Sequence, residues 1–404
     1  MSEMSYLEKL LDGAEVEWKP LREVCDFKNG FAFKSNLFKE TGLPIVRITN
    51  IDGFNVNLDE VKYFSPNDYK EDISSFEVSM GDIVIAMSGA TTGKVGFYKN
   101  ETRCYLNQRV GKFVPKRNLL NNKYLYHFLL LNTEAIYILA GGGAQPNLSS
   151  NALMSKLLIP IPSSSNPEKS LAIQSEIVRI LDKFTALTAE LTAELTAELT
   201  MRKKQYNYYR DQLLSFEGGS VEWKSLGEVA IITIGAFVRK DKQNPDADYP
   251  VYNGGRTPTG YYEDFNNDGD KIIVSARGAN AGFVNKSSTP YWAGNSCYSI
   301  SVRSTEQLHW MYVYYYLKQS ETKLTGIQQK GGIPAVSKKQ MEDLLLPIPS
   351  KSEQVRIVTI LDKFDTLTSS ITEGLPREIE LRQKQYEYYR DLLFSFPKHE
   401  TTSN

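Results

Sequence analysis

VEWKPLREV, from Val16 to Val24, returns as VEWKSLGEV from Val221 to Val229, and this repeat decides the fold. Two further segments repeat in the same order: IVRILDKF ending at Phe184 returns as IVTILDKF ending at Phe364, and MRKKQYNYYRDQLLSF ending at Phe216 returns as LRQKQYEYYRDLLFSF ending at Phe396. A chain that contains a globular segment and then a helix twice predicts a pseudo-symmetric molecule with two similar binding heads. DNA sites with two halves are a common partner of such molecules.

The repeat is also circularly permuted. The opening YLEKLLDGAEVEW (Tyr6 to Trp18) echoes YYRDQLLSFEGGSVEW (Tyr208 to Trp223), so the first residues resemble the end of a repeat that begins at the other terminus. We therefore expect the two termini to meet, so that packing closes the repeat where a peptide bond does not.

Length and composition predict a soluble chain with more than one domain. A chain of 404 residues, 41% hydrophobic and 24% charged, is too long for a single core. The balance of 47 basic and 48 acidic residues weighs against coating nucleic acid by bulk charge, but it allows local basic patches. The sequence has no apolar run of membrane-spanning length and its start does not resemble a signal peptide, so we expect a cytoplasmic protein without membrane contact.

The cysteines and histidines predict structural roles. Cys25, Cys104 and Cys297 stand far apart without CxxC spacing, which indicates neither a disulfide framework nor a metal site. His127 and His309 lie in apolar stretches typical of helices, and we expect both to be packed.

The repeats predict the domain organisation. We expect an N-terminal segment completing the permuted repeat (1–15), a first globular domain (16–162), a first long helix (163–217), a second globular domain (218–349), a second long helix (350–397) and a tail (398–404). Both globular segments have short β-like runs between Gly-, Asn- and Pro-rich turns and end in a PIP strand. The sequence predicts two compact α+β domains.

Each helical segment has a predicted start and an apolar stripe. SNPE (Ser165 to Glu168) and SKSE (Ser350 to Glu353) have capping-box spacing. The stripes are Ile177, Leu181, Phe184, Leu187, Leu191, Leu195 and Leu199, and Ile357, Leu361, Phe364, Leu367, Ile371, Leu375 and Ile379. This spacing predicts an antiparallel coiled coil, in which TAELTAELTAEL (Thr188 to Leu199) is a helical spacer and Gly374 and Pro376 kink the second helix.

The sequence lacks the usual catalytic motifs. SGATTGKV (Ser88 to Val95) resembles a phosphate-binding loop, but the pattern requires glycine at Ser88 and Ser or Thr at Val95. We therefore predict a turn between strands there and keep a P-loop NTPase only as a weaker alternative. A scaffold protein with two ligand-binding heads on a coiled-coil strut is a further alternative, because the same repeats would serve it.

The chain resembles the specificity subunit of type I restriction-modification enzymes over nearly its whole length. The resemblance is carried by the repeated VEWKxLxEV openings, the L(I/L)PIP domain ends and the ILDKF and QYxYYRD helix segments. The TAEL repeats resemble the IC subclass. The resemblance implies that each globular domain is a target-recognition domain for one half of an asymmetric, split double-stranded DNA site. It also implies that the helices recruit two modification subunits, which methylate adenine with S-adenosylmethionine, and up to two restriction subunits that use ATP and Mg²⁺. The chain itself would bind no cofactor and catalyse no reaction.

Candidate DNA-binding residues are polar and basic side chains in the turns, because base edges and phosphates require such groups. In the first domain they are Lys34, Arg47, Asn50, Ser88, Thr91, Thr92, Lys94, Asn107, Gln108 and Arg109, and in the second Arg239, Lys240, Arg256, Arg277, Asn280, Asn295 and Lys330. We expect Asn147, Ser149 and Ser337 to cap turns.

The QYxYYRD segments provide candidate partner-binding residues. These are Tyr206, Tyr209, Arg210, Tyr386, Tyr389 and Arg390. Tyr and Arg are typical interface anchors. Packing of the same tyrosines against the domains is an equally good interpretation.

Overall fold

The structure is a computed structural model, and it describes residues 6–142, 146–216, 221–326, 333–370 and 372–397. The chain divides into two compact units. Unit 1 extends to Thr192 and resumes at Leu381, and unit 2 spans Ala193–Glu380. Each unit holds one globular domain, the beginning of the helix that follows it and the end of the other long helix. The predicted helical segments 163–217 and 350–397 are thus divided between the units.

The first globular domain contains ten strands and five helices in the described residues. The strands are β1 (Val16–Pro20), β2 (Cys25–Asn29), β3 (Leu43–Val46), β4 (Lys62–Phe64), β5 (Glu77–Val78), β6 (Ile83–Ala86), β7 (Val95–Phe97), β8 (Cys104–Leu106), β9 (Val110–Pro115) and β10 (Leu158–Pro162). The helices are α1 (Tyr6–Leu11), α2 (Leu21–Val24), α3 (Asn122–Leu131), α4 (Thr133–Leu139) and α5 (Ser150–Lys156), and 3₁₀ turns lie at Ser35–Leu37, Ile48–Asn50, Pro66–Asp68 and Ser74–Phe76. The long helix α6 (Pro167–Leu213) follows.

Three sheets build this domain. Two four-stranded sheets have the orders β2-β9-β6-β7 and β4-β3-β8-β5, and β1 pairs antiparallel with β10. Strand β6 is buried on both faces, because alternate side chains enter two cores. Ile83 and Ile85 join the core that contains α3 and the start of α6, whereas Val84 and Ala86 join a second core with β8.

The second globular domain repeats this plan. Its strands are β11 (Glu222–Ser225), β12 (Ala230–Ile234), β13 (Tyr249–Tyr252), β14 (Gly260–Tyr262), β15 (Lys271–Ser275), β16 (Val284–Ser287), β17 (Trp292–Ala293), β18 (Cys297–Val302) and β19 (Leu345–Ile348). Its helices are α7 (Leu226–Val229), α8 (Trp310–Gln319), α9 (Glu321–Gly326) and α10 (Lys338–Glu342), with a 3₁₀ turn at Lys240–Lys242, and α11 (Lys351–Ser369) and α12 (Leu375–Leu393) follow. The sheet orders are β12-β18-β15-β16, β14-β13-β17 and β11-β19. The predicted pair of α+β domains is confirmed.

Each long helix begins by docking onto its own domain through a buried glutamine. The Gln174 carboxamide accepts a hydrogen bond from Asn121 N at 2.8 Å, and the Gln354 carboxamide accepts one from His309 N at 2.8 Å. Both side chains are fully buried. The two domains therefore hold their helices in the same way.

The helix starts agree only in part with the predicted caps. Ser350 accepts a hydrogen bond from Glu353 N, which is the serine half of the predicted capping box, whereas the Glu353 carboxylate pairs with Arg356. At α6, however, Asn166 accepts from Lys169 N at 3.1 Å, so the predicted cap at Ser165 is wrong by one residue. An asparagine is as good an N-cap as a serine, and the sequence offered both.

The second long helix is interrupted. Helix α11 ends at Ser369 and α12 begins at Leu375, and Gly374 has φ +82°, a left-handed conformation that favours glycine. The predicted kink is therefore a break. The predicted seam is also discontinuous: Ile177 and Leu181 are buried in the domain core, Leu187 is 51% exposed, and Ile371 lies outside the described residues.

Within each unit, a tyrosine ring of one helix stacks on a phenylalanine ring of the other. The Phe184 and Tyr389 ring centroids are 4.9 Å apart in unit 1, and the Tyr209 and Phe364 centroids are 5.7 Å apart in unit 2. In unit 1, Thr185 Oγ1 also donates to Tyr386 Oη at 3.2 Å. The contact of Phe184 with Tyr389 and that of Thr185 with Tyr386 show that a higher number in α6 is matched by a lower number in α12. The two helices therefore run antiparallel there.

The first and last described segments of the chain meet in unit 1, as the permutation predicts. Leu7 and Leu11 share a core with Leu393 and Phe394, and Trp18 Nε1 donates to Pro397 O at 3.1 Å.

The cysteines and histidines have the expected structural roles. Cys25, Cys104 and Cys297 are free and buried, and burial raises their pKa to about 12, 12 and 11. His127 Nε2 lies 3.1 Å from an Asp182 carboxylate oxygen, and His309 Nδ1 accepts from Met311 N. None of the helices in the described residues could cross a membrane.

Candidate nucleic-acid interface

Five loops meet at one end of each globular domain. We define loop end 1 as residues 30–34, 47–50, 88–94, 107–109 and 146–149, and loop end 2 as residues 235–240, 253–256, 277–281, 294–296 and 333–337. The other side of each domain packs against the helices of its unit. The loop ends are therefore the open side of each domain.

Matching backbone hydrogen bonds hold the two loop ends together. In loop end 1 these are Phe31 N to Leu106 O, Asn107 N to Val46 O, Met87 N to Arg109 O, Gly89 N to Pro146 O and Leu148 N to Met87 O. In loop end 2 they are Ala236 N to Ala293 O, Gly294 N to Tyr252 O, Ala276 N to Ser296 O, Gly278 N to Pro334 O and Val336 N to Ala276 O. The ten distances lie between 2.7 and 3.2 Å. These bonds also define which residues of the two ends are equivalent.

One glycine in each end is required by close backbone approach. A β carbon on Gly30 would collide with the carbonyl oxygen of Asn107, and one on Gly235 would collide with that of Gly294. The first loop can therefore pass the fourth only where the chain has no side chain.

The loop ends are strongly basic although the chain is neutral. Loop end 1 contains Lys34, Arg47, Lys94 and Arg109, and loop end 2 contains Arg239, Lys240, Arg256 and Arg277. Neither set of loops contains an Asp or Glu residue. This local excess of positive charge is what phosphate binding requires.

The structure brings all ten candidate residues of the first domain into loop end 1, but it gives them different roles. Lys34, Lys94, Gln108 and Arg109 are exposed, and Arg47, Ser88 and Asn107 are partly buried. Three others stabilise turns.

The Asn50 side chain is buried and accepts from Arg47 N, buried Thr92 Oγ1 donates to Gly89 O and Pro146 O, and Thr91 Oγ1 donates to Ile48 O. The prediction that Asn50 and Thr92 contact DNA is therefore corrected, because both side chains are buried and already hydrogen-bonded.

Six of the seven candidates in the second domain lie in loop end 2. Lys240, Arg277 and Asn295 are exposed, and Arg239 is exposed but forms a two-pronged ion pair with Asp241 at 2.7 and 2.9 Å. The Asn280 carboxamide accepts from Arg256 Nε and donates to Gly254 O, so it links two loops. Lys330 lies outside the described residues.

Loop end 1 encloses a shallow cavity with unsatisfied polar groups. Its volume is about 790 Å³, and its lining includes Ser88, Gln108, Arg109 and Asn147. Ser88 Oγ, in this lining, is buried without a hydrogen-bond partner in the described chain, and so is Arg47 Nε elsewhere in loop end 1. Such groups favour a ligand that supplies acceptors.

Sequence reasoning missed Asn147, which lines this cavity with an exposed side chain. On sequence grounds, Asn147 is expected to cap a turn. Ser149 and Ser337 do cap α5 and α10 by accepting from Ala152 N and Gln340 N.

The candidate partner-binding residues pack mainly within their own units. Tyr386 is buried, and Tyr206 is half-buried beneath the Arg210 guanidinium, whose carbon lies 5.6 Å from the ring centroid. Arg210 and Arg390 pair with the adjacent Asp211 and Asp391.

Together with the Tyr209 and Tyr389 stacks, these contacts favour the packing interpretation. The middle tyrosines that sequence reasoning passed over, Tyr208 and Tyr388, are 61% and 64% exposed.

Comparison with known proteins assigns the family. The type I restriction modification DNA specificity domain matches residues 14–201 and 220–381. The chain belongs to this family. It is 40% identical to the type I restriction enzyme EcoR124I/EcoR124II specificity subunit of Escherichia coli, with full coverage of both chains, and 37% identical to the EcoprrI specificity subunit of the same species, covering 92% of this chain and 93% of that one.

Solved specificity subunits have the same fold. The S subunit of a type I restriction-modification system from M. genitalium aligns with TM-score 0.52 and 19% identity, covering 98% of this chain and 100% of that chain. A chain from work on complex assembly and conformational transition of the type I R-M system aligns with TM-score 0.64 and 18% identity, covering 94% and 97%. Membership of the DNA specificity family supports DNA recognition over both the scaffold and the NTPase alternatives.

Proposed function

We propose that loop end 1 and loop end 2 each bind one half of a split double-stranded DNA site. The observation that carries this proposal is the pair of basic loop ends, each held by five equivalent backbone hydrogen bonds. Of their eight cations, Arg239 is paired with the neighbouring Asp241. Backbone bonds fix the loops, so their exposed side chains remain available for phosphates and base edges.

The two half-sites differ in sequence because the cations stand at different places. Lys34 and Arg239 are equivalent, but Arg109 has Ser296 at its equivalent position and Arg277 has Ser88. An arginine can bind guanine with two hydrogen bonds, whereas a serine cannot. The whole site is therefore asymmetric.

Two matched pairs of variants test this proposal. Arg109→Ala and Arg277→Ala should each weaken recognition of one half-site by about 1 to 3 kcal/mol if the side chain contacts a base. Arg103→Ala and Arg303→Ala are controls, because these residues lie at the opposite ends of β8 and β18 from the loop ends.

The measurement is binding and methylation of a duplex library by the chain in complex with its modification subunit. Equal losses in the loop-end and control variants would contradict the proposal, as would the absence of any enriched split sequence.

The partner subunits would supply the chemistry. We propose that two modification subunits dock at the exposed tyrosines of the repeated helix ends and methylate adenine with S-adenosylmethionine. Up to two restriction subunits would add ATP- and Mg²⁺-dependent cleavage, and the specificity chain would be non-catalytic. The TAEL tract supports assignment to the IC subclass.

The repeat makes the proposed stoichiometry testable. Tyr208→Ala or Tyr388→Ala should each reduce the complex from two modification subunits per chain to one, because each change alters one of two equivalent surfaces. Tyr261→Ala, an exposed tyrosine on β14, is the control. Native mass spectrometry measures the ratio, and two subunits retained in the double variant would exclude this docking surface.

A further inference from the structure

Loop end 2 carries two apolar side chains that its basic character does not explain. Among the described residues of unit 2, Ile333 and Phe237 are the two most exposed large apolar side chains, at 75% and 66%. Both lie on loops that also present cations: Phe237 precedes Arg239 and Lys240, and Ile333 lines a cavity with Arg277.

The backbone fixes the position of Phe237 from both sides. On one side, Ala236 N donates to Ala293 O at 2.8 Å and Trp292 Nε1 donates to Ala236 O at 2.8 Å. On the other, Lys242 N donates to Arg239 O at 3.0 Å and closes a 3₁₀ turn. The ring is thus held outward by a fixed loop, which reduces the entropy lost on binding.

Loop end 1 has no aromatic side chain at the position equivalent to Phe237. The matching hydrogen bonds of Phe31 N and Ala236 N make Ala32 the equivalent of Phe237. The aromatic side chain therefore belongs to one half of the repeat and is not required by the shared scaffold.

We propose that Phe237 inserts between base pairs of the half-site bound by the second domain and unstacks one step. The inference rests on the proposed function of loop end 2. An apolar side chain flanked by cations suits a duplex, since the cations meet phosphates while the side chain meets the apolar base stack. Proteins that insert such wedges use Phe, Leu, Ile and Met in this way.

The test uses the chain in complex with its modification subunit and duplexes of its mapped site. 2-Aminopurine replaces one base at a time in each half-site, and its fluorescence rises where a base loses its stacking neighbour. Methyltransferases extrude their target base, so a rise at the methylated adenine is expected in every variant and is set aside. We expect a further rise at one other step of the half-site that Arg277→Ala identifies as belonging to the second domain.

Phe237→Ala should abolish that rise and weaken binding about tenfold, within the range for loss of an aromatic contact to a base. Phe237→Leu should keep part of both effects, because leucine also serves as a wedge. Ile231→Ala is the matched control: Ile231 is 45% exposed on β12, away from the loop end, and its loss should change neither signal. Unchanged thermal unfolding of the Phe237 variants would show that folding is intact.

If the rise outside the methylated adenine persists in Phe237→Ala, or if no such rise occurs when the wild-type complex binds tightly, the inference is overturned while the proposed function stays in place. Failure of the wild-type complex to bind any split site would instead refute the proposed function, and this inference with it.

Discussion

Deletion of one TAEL repeat, Thr196 to Leu199, should shorten the spacer between two otherwise unchanged DNA half-sites by one base pair. The tract lies inside α6, after Phe184 of the unit 1 stack and before Tyr209 of the unit 2 stack. Its removal therefore alters the connection between the two units without removing either stack.

The size of the change follows from helix geometry. Four residues correspond to about 6 Å of helix. Each residue rotates the helix by about 100°, so four residues rotate it by one full turn plus about 40°. One base pair of B-DNA advances about 3.4 Å and turns about 34 to 36°. The rotation of the helix nearly matches that of one base pair. The change in helix length would match almost two base pairs, but only if the helix and the DNA were parallel. Because a tilted helix projects less length along the DNA, the angle decides the prediction.

The deletion should preserve folding. Leucine recurs every four residues in this tract, so each remaining leucine stays on nearly the same helix face. The other connection between the units contains the break between Ser369 and Leu375, where a change in length need not distort a continuous helix.

Methylation mapping in cells that express the variant with its modification subunit measures the spacer. Insertion of a fourth repeat should lengthen it by one base pair, and Thr196→Ala, which keeps the length, should leave it unchanged. An unchanged spacer in the deletion variant would refute the reasoning, and altered half-site bases would show that the tract takes part in recognition.

Three further changes test the structure itself. Tyr389→Ala should destabilise unit 1 by about 0.5 to 1.5 kcal/mol through loss of the ring stack, beyond the lost burial, whereas Tyr388→Ala should cost little; equal denaturation midpoints would contradict the stack. Burial lowers the pKa of His127 despite its Asp182 partner, so the free energy of unfolding should fall as pH drops below about 6.5, the ordinary histidine value. Burial also lowers the pKa of His309, so His127→Gln should reduce this slope and the double variant with His309→Gln should remove it. An unchanged slope in His127→Gln would contradict the assignment. Gly30→Ala should displace loop end 1 and weaken recognition of its half-site, which a crystal structure with unchanged loops would disprove.

Repetition made the domain plan predictable from sequence. Because each segment occurs twice, the two copies could be compared with each other, and the pair of α+β domains and the antiparallel helix contact could be inferred without a structure. The first-domain candidates are polar and basic residues of predicted turns, and turns between strands lie at the strand ends, where the structure has loop end 1.

Side-chain roles could not be predicted in the same way. The sequence does not show that Thr92 is buried, with its hydroxyl group donating to two carbonyl oxygens, while Gln108 is exposed. Likewise, three neighbouring tyrosines in QYNYYRD have similar chemistry, but Tyr206 is half-buried, Tyr209 stacks on a ring while 45% exposed, and Tyr208 is 61% exposed. Burial of this kind depends on contacts from distant parts of the chain.

Backbone bonding explains how one scaffold can serve two different half-sites. The hydrogen bonds that join the five loops use amide and carbonyl groups, which every residue except proline provides in full. Exposed side chains such as Arg109 and Arg277 contribute little to holding the loops, so they can differ between the two copies at small cost in stability. Substitution is restricted where two backbone segments are in close contact. Gly30 and Gly235 occupy such equivalent positions, and both are glycine. Specificity and stability therefore depend on different atoms of the same loops, which allows the DNA sequence recognised by one domain to change while the fold remains.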